Sequence, residues 1–80
     1  MDVHNALPEG TSAADVAAAH AQDLKVQGEH GVRYLNYWAD TAGGKVFCLV
    51  DAPDKETATR VHREAHGLEA HQLFEVQEGA

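Results

Sequence analysis

"VRYLNYWADTAGGKVFCLVDAP", residues 32–53, is the stretch that decides the fold. Its first part, VRYLNYWAD, is dense in aromatic and β-branched residues, which suit the pleated, half-buried surface of a strand. DTAGG is turn chemistry. KVFCLVDA then predicts a second strand. Side chains alternate along a strand, so Val46, Cys48 and Val50 point one way and Phe47 and Leu49 the other. Apolar residues on both sides mark a strand buried from both faces. Pro53 ends it. The two strands form a hairpin in the middle of the chain, and what flanks the hairpin sets the architecture.

Working outward, each side of the hairpin adds one strand and one helix. Upstream, MDVHNAL alternates Met1 and Val3 against Asp2 and His4, which predicts a short strand, and PEGTS breaks it. Ser12 is placed to cap a helix, with Asp15 as its reciprocal partner. AADVAAAHAQDLKVQGEHG follows for about five turns and stops near Gly31. Downstream, Asp54 caps KETATRVHREAH, which ends at Gly67, and HQLFEVQ is the last strand. The element order is β-α-β-β-α-β, the ferredoxin-like split βαβ of the α+β class. Right-handed crossovers then give a four-stranded antiparallel sheet in the order 4-1-3-2 with both helices on one face. No repeat, linker or low-complexity tract interrupts residues 1–80, so a single domain is expected.

Two helices cover only one face of such a sheet, yet Phe47 and Leu49 make the other face apolar too. A second copy of the chain, packed sheet against sheet, is the economical cover, so a homodimer is expected; the alternative is an open face that is simply less polar than usual. Size argues the same way: a chain of 80 residues buries only about 60–65% of its unfolded surface, and small domains lean on a metal, a disulfide or an oligomer. Cys48 is the single cysteine, which excludes a disulfide framework and a cysteine-rich zinc site.

The charge narrows the partners. A formal net charge of −7 with only six lysines and arginines repels phosphate backbones and attracts cations, so nucleic acid is not an expected partner. MDVHNALPEG has neither the basic nor the apolar region of a signal peptide. The longest apolar run, VFCLV, is too short to span a membrane. A soluble, cytoplasmic protein without a membrane partner is expected.

The six histidines are the remaining signal, and they concentrate in RVHREAHGLEAHQ, residues 60–72. His62 and His66 stand four apart and therefore on one helix face. They flank the apolar stripe of Ala58, Val61 and Ala65, at the boundary between core and water. Two imidazoles at that spacing can share one ion, and they can equally be boundary histidines favoured near a helix C-terminus. HREAH is not a metalloprotease signature, because Arg63 and Ala65 occupy the two positions where the zincin and inverted motifs need glutamate. Glu64 lies on a different face. His20 falls in the middle of the stripe formed by Ala13, Val16, Ala17 and Leu24, with Asp23 and Gln27 at its edge. It reads either as a core histidine with satisfied ring nitrogens or as a ligand oriented by Asp23. Asp2 and His4 share one face of the first strand. If Val3 faces the helices, they face the dimer side or a cavity in it, offering oxygen and nitrogen at adjacent positions, or they simply start a polar strand. His30, before Gly31 at the end of the first helix, reads as a C-terminal charge, and His71 as a surface residue. Cys48 reads as a small hydrophobe, and Tyr34, Tyr37 and Trp38 as packing residues. There is no nucleophile–base pair, phosphate loop or dinucleotide fingerprint; AGGK lacks the length and context of a P-loop.

Taken together, MDVH, AHAQDL, GVRYLNYW, KVFCLVDAP and VHREAHGL resemble a group of small bacterial ferredoxin-like proteins, long described as a domain of unknown function, that includes an actinobacterial nickel-binding protein. The similarity runs from residue 1 to about 77, and GKVFCLVDAP and VHREAHGL are its most specific parts. The resemblance implies a dimeric ferredoxin-like protein that binds nickel or another divalent cation. Nickel suits imidazole, carboxylate and water ligands, in keeping with many histidines and one cysteine.

Three readings compete. The first is a divalent-metal protein, with nickel the expected ion, that serves storage, buffering or sensing through His62, His66, His4, His20, Asp2 and Asp23. The second is an enzyme of the dimeric α+β barrel type, acting on a small molecule in a pocket lined by His4, His20 and Tyr34. The third is a regulatory or interaction domain in which the histidines are incidental.

Overall fold

A computed structural model describes residues 1–79. The elements are β1 (Asp2–His4), α1 (Ala13–Val26), β2 (Arg33–Asp40), β3 (Lys45–Asp51), α2 (Lys55–Ala65) and β4 (Gln72–Leu73), with a 3₁₀ turn over Gln27–His30 after α1. The strands form one sheet in the order β2-β3-β1-β4, which is the expected 4-1-3-2 order, and every pairing is antiparallel. Among the described residues no helix is long and apolar enough to cross a membrane.

Local chemistry accounts for the boundaries. The Ser12 side chain accepts from the Asp15 backbone N–H, and the Asp15 carboxylate accepts from the Ser12 N–H, so two otherwise unpaired donors are satisfied at the start of α1. Gly31 ends the 3₁₀ turn in the left-handed region, φ 66°, where glycine carries no Cβ penalty. Asp54 caps α2 by accepting from the Thr57 N–H. The first and last strands are shorter than their patterns predict: MDVHNAL yields only Asp2–His4 and HQLFEVQ only Gln72–Leu73.

The core lies between the helices and one face of the sheet. Val16 of α1 and Val61 of α2 pack with Tyr34, Val46 and Cys48, so both helices cover the same face, and Val32 completes the cluster. The two-sided reading of β3 holds: Val46 and Cys48 are buried under the helices, while Phe47 and Leu49 are part-buried on the other side. A register irregularity between Tyr34 and Asn36 lets β2 place Tyr34 opposite Val50 and Tyr37 opposite Cys48. Two residues an odd number of positions apart thereby share the helix side, and Leu35 is left 54% exposed.

Three expectations change. The buried stripe of α1 is not Ala13, Ala17 and Leu24: the first two are exposed and Leu24 is 45% exposed, whereas Val16 and Asp23 are buried. Alanine contributes little apolar area, so the hydrogen bonds available to Asp23 outweigh the pull of one leucine on the rotation of the helix. His62 does not flank the stripe of α2 but lies inside it, 1% exposed. Val3 does not face the helices. The pairs Asp2↔Cys48 and His4↔Val46 put both polar residues on the helix side and leave Val3 beside Phe47 on the outer face.

Candidate metal centre

β1 is the inner strand between β3 and β4, and this position is why its two polar side chains are buried. Flanked by strands on both edges and roofed by helices, Asp2 is 0% exposed and His4 6%. Burying a carboxylate is costly unless it is paired and hydrogen-bonded, and the partners arrive from three other elements. His62 of α2 approaches Asp2 Oδ2 with Nε2 at 2.9 Å. Tyr34 of β2 donates its hydroxyl to the same oxygen at 2.9 Å and also lies 3.1 Å from the Ala58 carbonyl. Asp23 of α1 accepts from His62 Nδ1 at 2.8 Å. His66, just past the end of α2, brings Nε2 to 3.1 Å from Asp23 Oδ1.

His62 therefore has a carboxylate oxygen on each ring nitrogen. A carboxylate only accepts, so both nitrogens must donate, and the ring is an imidazolium. Burial opposes that charge, but the hydrogen bonds to Asp2 and Asp23 override it and push the His62 pKa up to about 11. Burial likewise opposes ionisation of Asp2, yet the neighbouring imidazoles and the Tyr34 hydroxyl hold its carboxyl far below the ordinary range. Asp23 is also lowered: burial works against it, and the hydrogen bonds of His62 and His66 win. Burial and the adjacent Asp2 charge raise the Tyr34 phenol, which stays protonated as a donor. Burial pushes the Cys48 thiol up to about 11, so near neutral pH it is a thiol and a weak ligand.

Two groups of donors converge at this point. Asp2, His4, Cys48 and His62 form one, and Asp23, His62 and His66 form the other; within each group the donor atoms lie within 4.8 Å of one another. His4 Nε2 and His62 Nε2 face each other at 3.4 Å. First-row divalent ions bind imidazole nitrogen at about 2.1 Å, so two ligands of one ion stand about 3–4 Å apart; the two nitrogens meet that condition. Asp2 Oδ1 is buried with no hydrogen-bond partner and lies 3.6 Å from His4 Nε2. An orphaned anionic oxygen next to two converging imidazoles is the chemistry of a cation site, and the residues fit a metal of the nickel or zinc type. A third group, Glu29, His30 and Glu64, is at the surface, where Glu64 meets His30 at 2.7 Å.

The cluster forms the floor of a cavity of about 150 Å³ beneath α1, whose lining includes His4, His20, Asp23, Cys48, His62 and His66. Five of the six residues singled out by the sequence, Asp2, His4, Asp23, His62 and His66, thus come together. His20 stands apart on the cavity wall against the Tyr37 ring, with centroids 4.8 Å apart. Its Nδ1 is buried without a partner, and Asp23 turns to His62 and His66 instead. Sequence reasoning assigned Tyr34 to packing and gave it only a lining role under the enzyme reading, and it assigned Cys48 to packing. Tyr34 carried a usable signal, since a buried tyrosine hydroxyl needs a partner and Asp2 was an unplaced carboxylate. Cys48 carried none beyond its place opposite Asp2.

Comparison with known proteins bears on this site. Residues 1–76 match a protein family described as nickel responsive protein SCO4226-like. Among solved structures, the crystal structure of SCO4226 from Streptomyces coelicolor A3(2) superposes with a TM-score of 0.89 at 35% identity, over 99% of this chain and 95% of that one. No curated protein matches the chain.

Proposed function

The chain belongs to the SCO4226-like family of nickel responsive proteins, and from that premise we propose that it binds a divalent transition metal, nickel first, in the buried cluster. The observation that carries the reading is the orphaned Asp2 Oδ1 beside two imidazole nitrogens 3.4 Å apart. His4 Nε2, His62 Nε2 and Asp2 are the ligands. Asp23 holds the Nδ1–H of His62, which fixes the ring and leaves Nε2 to the ion once its proton has gone. His66 shares Asp23 and lines the cavity above the cluster. Because Cys48 is held as a thiol, the donors are nitrogen and oxygen, a set that suits nickel. Each ion bound displaces a proton from His62, so occupancy follows both metal concentration and pH. That behaviour fits buffering, storage or sensing of the ion, in the cytoplasm.

The working unit is a homodimer joined through the outer face of the sheet. Trp38 is 50% exposed there and Phe47 and Leu49 are only part-buried, an apolar patch that a second sheet would cover.

Calorimetry with Ni²⁺, Zn²⁺, Co²⁺ and Cu²⁺ on untagged protein tests the metal reading. His62→Ala and His4→Ala should each weaken Ni²⁺ binding by at least about tenfold, while His66→Ala should weaken it about threefold or less. Equal affinity in parent and His62→Ala would falsify the site. Loss in His66→Ala matching that in His62→Ala, with His4→Ala unaffected, would move the ion to the Asp23, His62 and His66 group.

A further inference from the structure

The cavity above the cluster has a composition that metal binding alone does not explain. Its floor is polar, but its walls are apolar: Leu7 and Pro8 from the segment after β1, Val16 and Ala19 from α1, Val46 from β3, and Leu68 from the turn after α2. An entry path for a hydrated ion would be lined by polar groups, whereas these walls favour carbon. At about 150 Å³ the cavity matches the size of an apolar cavity that accepts benzene in another protein, about 150 Å³. Flat surfaces are present as well, since the His20 and Tyr37 rings lie against each other on the wall. Apolar pockets with a few converging polar groups are the usual form of a small-molecule site.

The polar groups specify the ligand further. Asp15 and Asp23 both line the cavity, and Asp2 lies directly beneath it, bonded to His62. With three carboxylates against the one His62 imidazolium the surroundings are net negative and disfavour an anionic ligand, while Asp15 and Asp23 accept hydrogen bonds from a neutral one. His20 Nδ1 is closed to solvent, so the His20 ring offers the cavity a flat wall, and the acceptors that line the cavity are the Asp15 and Asp23 carboxylates, which take a hydrogen bond from a hydroxyl. We propose that this cavity binds a small neutral single-ring hydroxyl compound, a phenol, with its ring against the apolar walls and its hydroxyl turned to the Asp15 and Asp23 carboxylates. The site is a second binding function of the same fold and does not depend on the metal reading.

The test is a titration of chelator-treated, metal-free protein with phenol, followed by ¹H–¹⁵N NMR, with benzoate and benzene as comparison ligands. Phenol should cause saturable shifts centred on Ala19, His20, Val46 and Leu68, and it should bind about tenfold or more tightly than benzoate, since a buried carboxylate ligand meets the charges of Asp15 and Asp23. Ala19→Leu, which fills the wall, should weaken phenol binding by about tenfold while leaving Ni²⁺ affinity within about twofold, because Ala19 is not one of the proposed metal donors. Asp15→Asn keeps the side chain's size and removes its charge, so it should narrow the gap between phenol and benzoate; this variant and the ligand series decide the question if Ala19→Leu does not fold. Failure to saturate up to the solubility of phenol overturns the inference, as does benzoate binding as tightly as phenol, or shifts centred on Trp38 and the outer face. Phenol binding without nickel binding would leave this inference standing and remove the metal reading; the reverse result would do the opposite.

Discussion

The helix side of the sheet carries Asp2, His4, Tyr34 and Cys48, all buried; the outer side carries Val3, Trp38, Phe47 and Leu49, and of these only Val3 is buried. The covered face thus buries charged groups alongside its apolar core, while the apolar outer face is only partly buried. An ordinary small domain puts its apolar face inside and its polar face in water. Here the helices cover ions, and part of the best apolar surface lies open. Burying an ion pair is rarely the cheapest way to stabilise a fold, because desolvation offsets much of the attraction. The three ionised groups of the cluster are therefore read as retained for what they do, and the open apolar face for what covers it.

The comparison can be broken most directly at Asp2. Asp2→Ala leaves the His62 imidazolium buried with one partner missing, and urea denaturation should show a loss of about 3–5 kcal/mol. A loss below about 1 kcal/mol, the range of exposed pairs, would mean that the helix side is not ionic in the way its geometry requires.

The pH dependence should be the next largest effect. Asp2 and Asp23 are lowered on folding, so their contribution is complete above about pH 4 and is lost as pH falls below that. His62 is raised to about 11, so its contribution is complete below about pH 6.5 and is lost as pH rises from there toward 11. Metal-free protein should be most stable between about pH 4 and 6.5. Between pH 7 and 8, below the ordinary thiol range, stability should fall by about 1.4 kcal/mol per pH unit, the slope for one proton held only in the folded state. Unfolding curves at closely spaced pH values measure it. His62→Gln should flatten the slope; a flat profile in the parent would deny the imidazolium.

On the outer face the expected change is in mass rather than stability. Sedimentation equilibrium of the parent should give twice the 8.6 kDa chain mass, and Trp38→Glu should bring it to the single-chain value while the circular dichroism spectrum stays the same. A parent that sediments as a single chain removes the partner from the argument.

The smallest effect sharpens the comparison by repeating the chemistry in water. His30 Nε2 meets Glu64 Oε2 at 2.7 Å, as short a contact as any in the cluster, but Glu64 is exposed. Glu64→Gln should cost less than about 1 kcal/mol. If it costs as much as Asp2→Ala, burial is not what separates the two sites.

The strand order was legible in the sequence because it rests on punctuation: a glycine turn between two strands, two capped helices, and the handedness of crossovers. The two-sided character of β3 was legible for the same reason, since alternation in VFCLV leaves no freedom. The orientation of β1 was not. With Met1 and Val3 against Asp2 and His4, hydrophobicity favours turning Val3 to the helices, and only the pairing of Asp2 with Cys48 decides otherwise. The rotation of α1 failed similarly: a helix built largely of alanine has almost no apolar preference, so a carboxylate with two histidine partners set its face. His62, His66, His4, Asp2 and Asp23 could each be named from residue type and spacing, but their convergence depends on contacts across 39 to 60 positions, and no local pattern encodes those.

The placement of β1 also orders events in time. Its strand is synthesised before any other element, yet it lies between β3 and β4, and Asp2 meets His62 across 60 positions. A nascent chain cannot close the sheet or neutralise Asp2 until α2 and β4 have left the ribosome. Non-local closure of this kind makes folding slow relative to helical proteins of the same size. The domain therefore closes only once β4 has been made, and Asp2, in the first of its strands, waits for His62 sixty positions later.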